Sequence, residues 1–203
     1  MPPLSKPASK LVCQLPETSR VSVAAPRPLR ADARRNFEAI LASARESFAD
    51  NGADASLEEI ARRAGVGIGT LYRNFPARSD LINAVYVEEL EDLCRSADDL
   101  SDLPAWEALI AWLRRFATYS ERKRALIEGL NRDSPLFINA KGALYETGGP
   151  ILMRAQAAGD ARTDIEIGDV MYLISGVMSG TYATDEQRDR VLTVALDGLR
   201  QQR

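Results

Sequence analysis

Four side chains within five residues, Thr70, Tyr72, Arg73 and Asn74, form the group in this sequence best suited to act on a partner. Their chemistry is non-covalent: hydroxyl and amide groups donate to phosphate oxygens, and a guanidinium donates twice to a base edge. Covalent chemistry has no comparable candidate. The 203-residue chain contains no histidine, the commonest general base and metal ligand, and no serine or cysteine sits in a nucleophile motif. Acidic neighbours such as Asp98-Asp99 and Glu88-Glu89 read as solvated helix faces whose carboxylates point apart, and there is no glycine-rich phosphate loop or cysteine cluster. The sequence argues against an enzyme, and it calls for no metal or other cofactor.

Those side chains need a rigid mount, and residues 56–81, SLEEIARRAGVGIGTLYRNFPARSDL, supply one. Ser56 suits an N-cap, and Glu59 three residues later completes a capping box, which starts a first helix there. Leu57, Ile60, Ala61 and Ala64 fall on one face of it. Gly65 suits the left-handed backbone that ends a helix, and Val66 is an apolar plug for a tight helix-turn-helix corner. The second helix runs from Ile68 to Phe75, with Leu71 and Phe75 inward and Ile68, Thr70, Tyr72, Arg73 and Asn74 outward, until Pro76 stops it. By itself this is a helical corner with a polar outer face, and such corners also occur in proteins that bind no DNA.

The segment AGVGIGTLYRNFPARSDL resembles the G-T-L-Y-x-H-F-x-x-K-x-x-L signature of the TetR family of bacterial regulators, and the likeness spans residues 32–91 without a gap across the motif. It implies double-stranded DNA as partner. Thr70, Tyr72 and Arg78 are then expected on phosphates, Gly67, Ile68 and Arg73 at the major groove, and Arg34 on the backbone. Ser56, Glu58 and Arg62 of the preceding helix complete the expected set. Asn74 stands where the family usually has His and Arg78 where it usually has Lys, and both keep the ability to donate to phosphate. Gly67 replaces a common capping Ser, and with Gly69 it weakens a short helix by about 1 kcal/mol per glycine. Ile68 has no donor and reads only thymine methyls or shape.

Net charge is −3, unusual for a DNA binder, but it is unevenly spread. Residues 1–80 carry 12 basic and 9 acidic side chains, and residues 81–203 carry 14 and 20, so the positive charge lies with the motif. The apolar content of 45% suffices for a real core. No apolar stretch has the length of a membrane span or signal peptide, which places the protein in the cytoplasm. Cys13 and Cys94 make no disulfide framework.

Residues 1–30 hold six of the ten prolines and a net charge of +4, and they read as a disordered basic arm. Arg20, Arg27 and Arg30 are placed to follow the DNA backbone or minor groove; an inert extension is the equal alternative. Phe37, Ile40, Leu41, Ala44 and Phe48 form a stripe for a first helix ending at Asn51-Gly52. A helix capped by Ser79 then carries Leu81, Ile82, Val85, Leu90 and Leu93. Residues 31–91 are the expected DNA-binding head, and residues 92–203 an all-α effector-binding and dimerisation domain.

In that second part, both tryptophans are accompanied by aromatics and methionines at helical spacing, which reads as plain core or as the lining of a pocket for a small organic effector. The expected lining is Trp112, Phe116, Tyr119, Leu126, Phe137, Tyr145, Met153, Met171 and Met178. Residues 168–182 set Ser175, Gly176, Ser179 and Gly180 along a side where backbones can approach. With Val191, Ala195 and Leu199 of a last helix capped by Thr184, Ser175, Gly176 and Ser179 are expected to form a four-helix homodimer interface. ALIAWLRRFATY, RAQAAGDARTDIEIGD and ALDGLR are similar to the C-terminal domain of a TetR subgroup common in actinobacteria. The expectation is therefore an all-α, Ω-shaped homodimer that reads a palindromic operator and is released from it by a small organic effector. A helical dimeric protein-interaction module that has lost sequence-specific DNA binding is the alternative.

Overall fold

In the computed structural model, residues 31–126 and 135–201 are described, and within them the regular structure is helical apart from one isolated β-bridge, Ala161 to Arg200. The expected basic arm lies outside the described residues, and so does the side chain of Phe137. No helix among the described residues is long and apolar enough to cross a membrane.

Helix α1, Ala31–Asn51, buries Phe37, Ile40, Leu41, Ala44 and Phe48, the stripe read from the sequence. A 3₁₀ turn, Gly52–Asp54, follows, with Gly52 at a φ of 66° that only glycine adopts without strain. Helix α2, Leu57–Arg63, and helix α3, Ile68–Asn74, form the corner, closed by Gly65 at a φ of 68°. Both short helices rest on α1. Leu57 and Ile60 of α2, Leu71 of α3 and the following Phe75 are buried, and the Phe75 ring stacks on Phe37 with centroids 5.0 Å apart. Burial of this kind, at 1.5–3 kcal/mol for a large apolar side chain by order of magnitude, offsets the weak propensity of a seven-residue helix with an interior glycine.

Two capping expectations need correction. Ser56 Oγ does accept from the Glu59 N–H at 3.2 Å, but the reciprocal half of the box is missing. Arg62 and Arg63 draw the Glu59 carboxylate outward, Arg62 Nε donating at 2.8 Å and Arg63 Nε at 3.1 Å, because charged donors outcompete a backbone N–H. Helix α4, Arg78–Arg95, starts after Ala77 rather than at Ser79, since Asp80 Oδ2 accepts the Ala77 N–H at 2.9 Å. Ser79 therefore sits inside the first turn.

Helix α4 runs unbroken through residue 91, where the head gives way to the body. The body consists of α5, Ala105–Leu126, α6, Pro135–Ala157, α7, Ile167–Met178, and α8, Asp185–Asp197. Trp112 of α5 is fully buried at its centre. Gly148 of α6 permits that packing, because a Cβ there would lie 2.5 Å from the far edge of the indole. Thr184 caps α8 as expected, its Oγ accepting from Gln187 N–H at 3.2 Å. The end of the described chain is tied back by Arg162 N–H to Leu199 O and Gln201 N–H to Asp160 O, both at 3.0 Å.

Candidate nucleic-acid interface and effector cavity

The outer face of α3 carries exposed Ile68, Gly69, Tyr72 and Arg73 beside half-buried Thr70 and Asn74. Tyr72 is 46% and Ile68 38% exposed, while Leu71 and Phe75 behind them are fully buried, so the helix is anchored on one side and free on the other. Gly67 is the N-cap and supplies no side-chain bond, which leaves the first N–H groups of α3 without a capping oxygen. Asn74 Nδ2 donates to Thr70 O at 2.8 Å and is thereby turned back onto its own helix. The other expected contact residues, on α1 and at α2, are exposed and held by local pairs. Ser56 donates to Glu58 Oε2 at 2.9 Å, Arg62 is held by Glu59, and Arg34 lies 3.8 Å from Glu38. Arg62, the main hydrogen-bond donor, together with Arg63 holds the Glu59 carboxyl down at about 2, so it stays ionised and keeps the two guanidinium groups in place.

Arg78 has a second part, within the chain. Its Nη1 donates to Ala53 O at 2.9 Å and Ala55 O at 2.5 Å, satisfying carbonyls at the end of the 3₁₀ turn. The guanidinium thus clamps α4 to the turn between α1 and α2. Sequence distances of 23 and 25 residues hid this from a reading by motif.

The acidic pair on α4 also differs from expectation. Glu88 and Glu89 do not point apart; they converge on Arg45 of α1, Glu88 Oε2 at 2.8 Å and Glu89 Oε1 at 3.0 Å. Glu89 is buried and also accepts from Arg122 of α5. Charge pairing across three helices drew a residue inward that helical spacing assigned to solvent.

A half-enclosed cavity of about 210 Å3 lies among α5, α6 and α7. Phe116, Tyr119, Tyr145 and Met171, all expected there, line it, joined by Leu144. Apart from Phe137, whose side chain lies outside the described residues, the other expected residues lie elsewhere. Trp112 is fully buried behind the wall, stacked on Phe116 with centroids 5.9 Å apart and planes at 11°. Met178 is buried outside the lining, Met153 is 60% exposed, and Leu126 packs near Phe48 and Val85 below the head. Helical period identifies apolar positions but not which neighbour each one faces. Sequence reasoning missed the polar part of the wall: Ser120, Lys123, Arg124, Lys141, Ser175 and Ser179, with the exposed hydroxyl end of Tyr172. A Lys or Arg on a helix has no signature that separates a cavity wall from a solvated face.

On the opposite side of α7 and on α8, Leu173, Val191 and Val194 are exposed at 43%, 38% and 72%. Gly176 is open, with nothing within 4 Å of the position a Cβ would take. Ala195 is half-buried. Leu199, expected at this interface, instead lies buried within the chain at 3% exposure, where the bonds between residues 160–162 and 199–201 fold it inward. Ser175 and Ser179 face the cavity wall, and Ser179 Oγ donates to Ser175 O at 2.7 Å.

Residues 40–85 match the family model described as bacterial regulatory proteins, tetR family, and residues 104–201 match one described as transcriptional regulator SbtR-like, C-terminal domain. The chain is similar to the crystal structure of the TetR transcriptional regulator SCO0520 from Streptomyces coelicolor, with 38% identity, a TM-score of 0.71, and 82% of this chain and 99% of that one covered. A TetR regulatory protein from Mycobacterium vanbaalenii shares 33% identity at a TM-score of 0.67, over 85% of this chain and 99% of that one. The transcriptional regulator SrpR of Pseudomonas putida is 24% identical over 183 residues, covering 84% of this chain and 86% of that protein.

Proposed function

Because this chain belongs to the TetR family of DNA-binding transcriptional regulators, a family of regulators and not of enzymes, we propose that it is a homodimeric repressor released from a palindromic operator by a small organic effector. The observation that carries this reading is the outer face of α3, where exposed Tyr72 and Arg73 stand over fully buried Leu71 and Phe75. A short helix anchored from behind and polar in front suits insertion into a major groove. Thr70 and Tyr72 donate to phosphates in this reading, and Arg73 reads a base edge. Gly67 and Ile68 approach the groove, and Arg34, Ser56, Glu58, Arg62 and Asn74 border it. Arg78 contributes through its remaining N–H groups while it clamps the turn.

Two such heads on a symmetric operator lie about 34 Å apart, one helical turn of DNA, and this needs two copies of the chain. The exposed apolar side chains of Leu173, Val191 and Val194, with open Gly176 on α7, support α7 and α8 as the dimer face. The cavity in the body is the effector site. An effector that fits best when α4 holds the heads at the wrong separation shifts the equilibrium off DNA, for which a few kcal/mol of differential affinity is enough.

Val194→Asp tests the assembly, since it places a charge on the most exposed of these apolar side chains. Light scattering is expected to show a dimer for the parent chain and a monomer for the variant, with helix content kept by circular dichroism and operator binding lost. A monomeric parent that binds a palindrome, or a variant that remains dimeric, contradicts the reading.

A further inference from the structure

Nothing in the described chain requires glycine at position 69. Gly69 lies inside α3, faces outward and keeps an ordinary helical backbone, since the left-handed glycines among the described residues are Gly52, Gly65 and Gly159. Its missing side chain leaves room that the described residues do not use. Apart from the helix's own backbone and the adjoining residues, the nearest heavy atom to the place of a Cβ is Arg73 Nη2, at 4.0 Å. Neither a turn nor tight packing calls for glycine there, and the helix is weaker for it. Gly148, where a Cβ would strike an indole, is the opposite case in the same fold. Arg73 follows Gly69 by one turn on the same face, and a helical side chain leans toward the N-terminus, so the guanidinium lies over Gly69. Exposed Ile68 stands immediately beside them.

A glycine that weakens its helix on a face turned outward suits close approach by a partner. We infer that Gly69 is a specificity-determining residue of the DNA face. Base edges come against its bare backbone, Arg73 spans it to donate to O6 and N7 of a guanine, and Ile68 meets the methyl of a thymine in the neighbouring pair. Consecutive Cα atoms are about 3.8 Å apart and stacked base pairs about 3.4 Å, so groups seated at residue 68 and over residue 69 address adjoining pairs. Each half-site then carries a guanine next to a thymine–adenine pair. A methyl at position 69 fills the gap into which the bases move and holds the guanidinium off them. The inference rests on α3 being the reading helix.

Gly69→Ala in the full chain separates folding from reading. Its Tm is expected to rise by about 2–4 °C, the gain of alanine over glycine in a helix. Fluorescence anisotropy with the duplex that the parent selects from random DNA is expected to show binding weaker by about tenfold or more. When the thymine beside the guanine is replaced by uracil, the parent is expected to lose about three- to fivefold, the value of one buried methyl, and Ile68→Ala to bind both duplexes alike. Parental affinity in Gly69→Ala, a lowered Tm, or a selected half-site without neighbouring guanine and thymine overturns the inference. Arg73→Ala tells this failure from failure of the reading helix. If it relaxes preference at the guanine while Gly69→Ala binds as the parent does, α3 reads DNA and Gly69 takes no part. If neither substitution changes binding, or the parent selects no motif, α3 is not the reader and both readings fall.

Discussion

Arg45 Nε on α1 lies 3.0 Å from Glu89 Oε1 on α4, and this contact joins the head to the helix that leads into the body. The same buried carboxylate accepts from Arg122 Nη1 of α5 at 3.2 and 3.1 Å. Arg122 is one helical turn from Tyr119, which forms part of the cavity wall. A ligand that shifts α5 at Tyr119 thus moves a guanidinium bound to the carboxylate that holds α1. Glu89→Gln keeps the shape and removes the charge. Its expected effect is a loss of about 1–3 kcal/mol in urea unfolding, together with a weaker effector response of operator binding. An unchanged unfolding midpoint and unchanged response would rule out this linkage.

At the DNA face, Tyr72→Phe and Arg73→Ala should fail in different ways. Loss of a hydroxyl that donates to phosphate weakens binding to all sequences by about tenfold, the scale of a charged hydrogen bond. Loss of Arg73 should relax preference at one base position by about 1–3 kcal/mol. Titrations against an operator and its single-base variants check both, and a uniform effect of Arg73→Ala contradicts its base-reading part.

The core around Trp112 sets a second pair of expectations. The indole is fully buried and its Nε1 has no hydrogen-bond partner among the described residues. Trp112→Ala is expected to cost about 3–5 kcal/mol in thermal unfolding and Trp112→Phe markedly less, since Phe leaves no donor unpaired. Gly148→Ala, whose Cβ would lie 2.5 and 2.6 Å from indole carbons, is expected to destabilise by about 1–3 kcal/mol through overpacking. Wild-type stability in Gly148→Ala contradicts this packing.

Gly176 behaves oppositely within a single chain, where an added Cβ meets open space. Alanine there is expected to stabilise the helix by up to about 1 kcal/mol, unless a partner backbone approaches it. Dimer dissociation measured by sedimentation separates the two. Weaker association in Gly176→Ala places a second copy against this residue, and unchanged association removes it from the interface.

Acid titration has a definite sign at Glu59. Its carboxyl is lowered from 4.5 to about 2 by Arg62 and Arg63, so its contribution is complete above 4.5 and is lost as pH falls toward 2. The group is exposed, so the effect is small and screened by salt. Glu59→Gln should therefore differ from the parent in urea stability near neutrality and converge with it near pH 2. A difference that grows as the pH falls contradicts the assignment.

How much of this was legible in the sequence depended on the range of each interaction. The corner from Ser56 to Phe75 is built from contacts a few residues apart, and capping, glycine placement and apolar spacing located α2 and α3 closely. The first half of α4 and the stripe of α1 followed from period alone. The cavity was legible only in part. Phe116, Tyr119, Tyr145 and Met171 line it, but Met153 occupies an equally apolar pattern and faces outward. Lys123 and Lys141 became part of the wall only once α5 and α6 were packed side by side. Glu89 was misread, and the bonds of Arg78 to Ala53 and Ala55 were missed, for the same reason, since their partners are distant in the chain.

The central claim is that a symmetric pair of α3 helices reads DNA. The most direct measurement is selection of random duplex DNA by the purified protein at moderate salt, followed by sequencing of what is retained. A two-fold symmetric motif with half-sites about one helical turn apart is the predicted result. Retention with no enriched motif, or a motif without symmetry, contradicts the claim and moves the protein-interaction reading to first place.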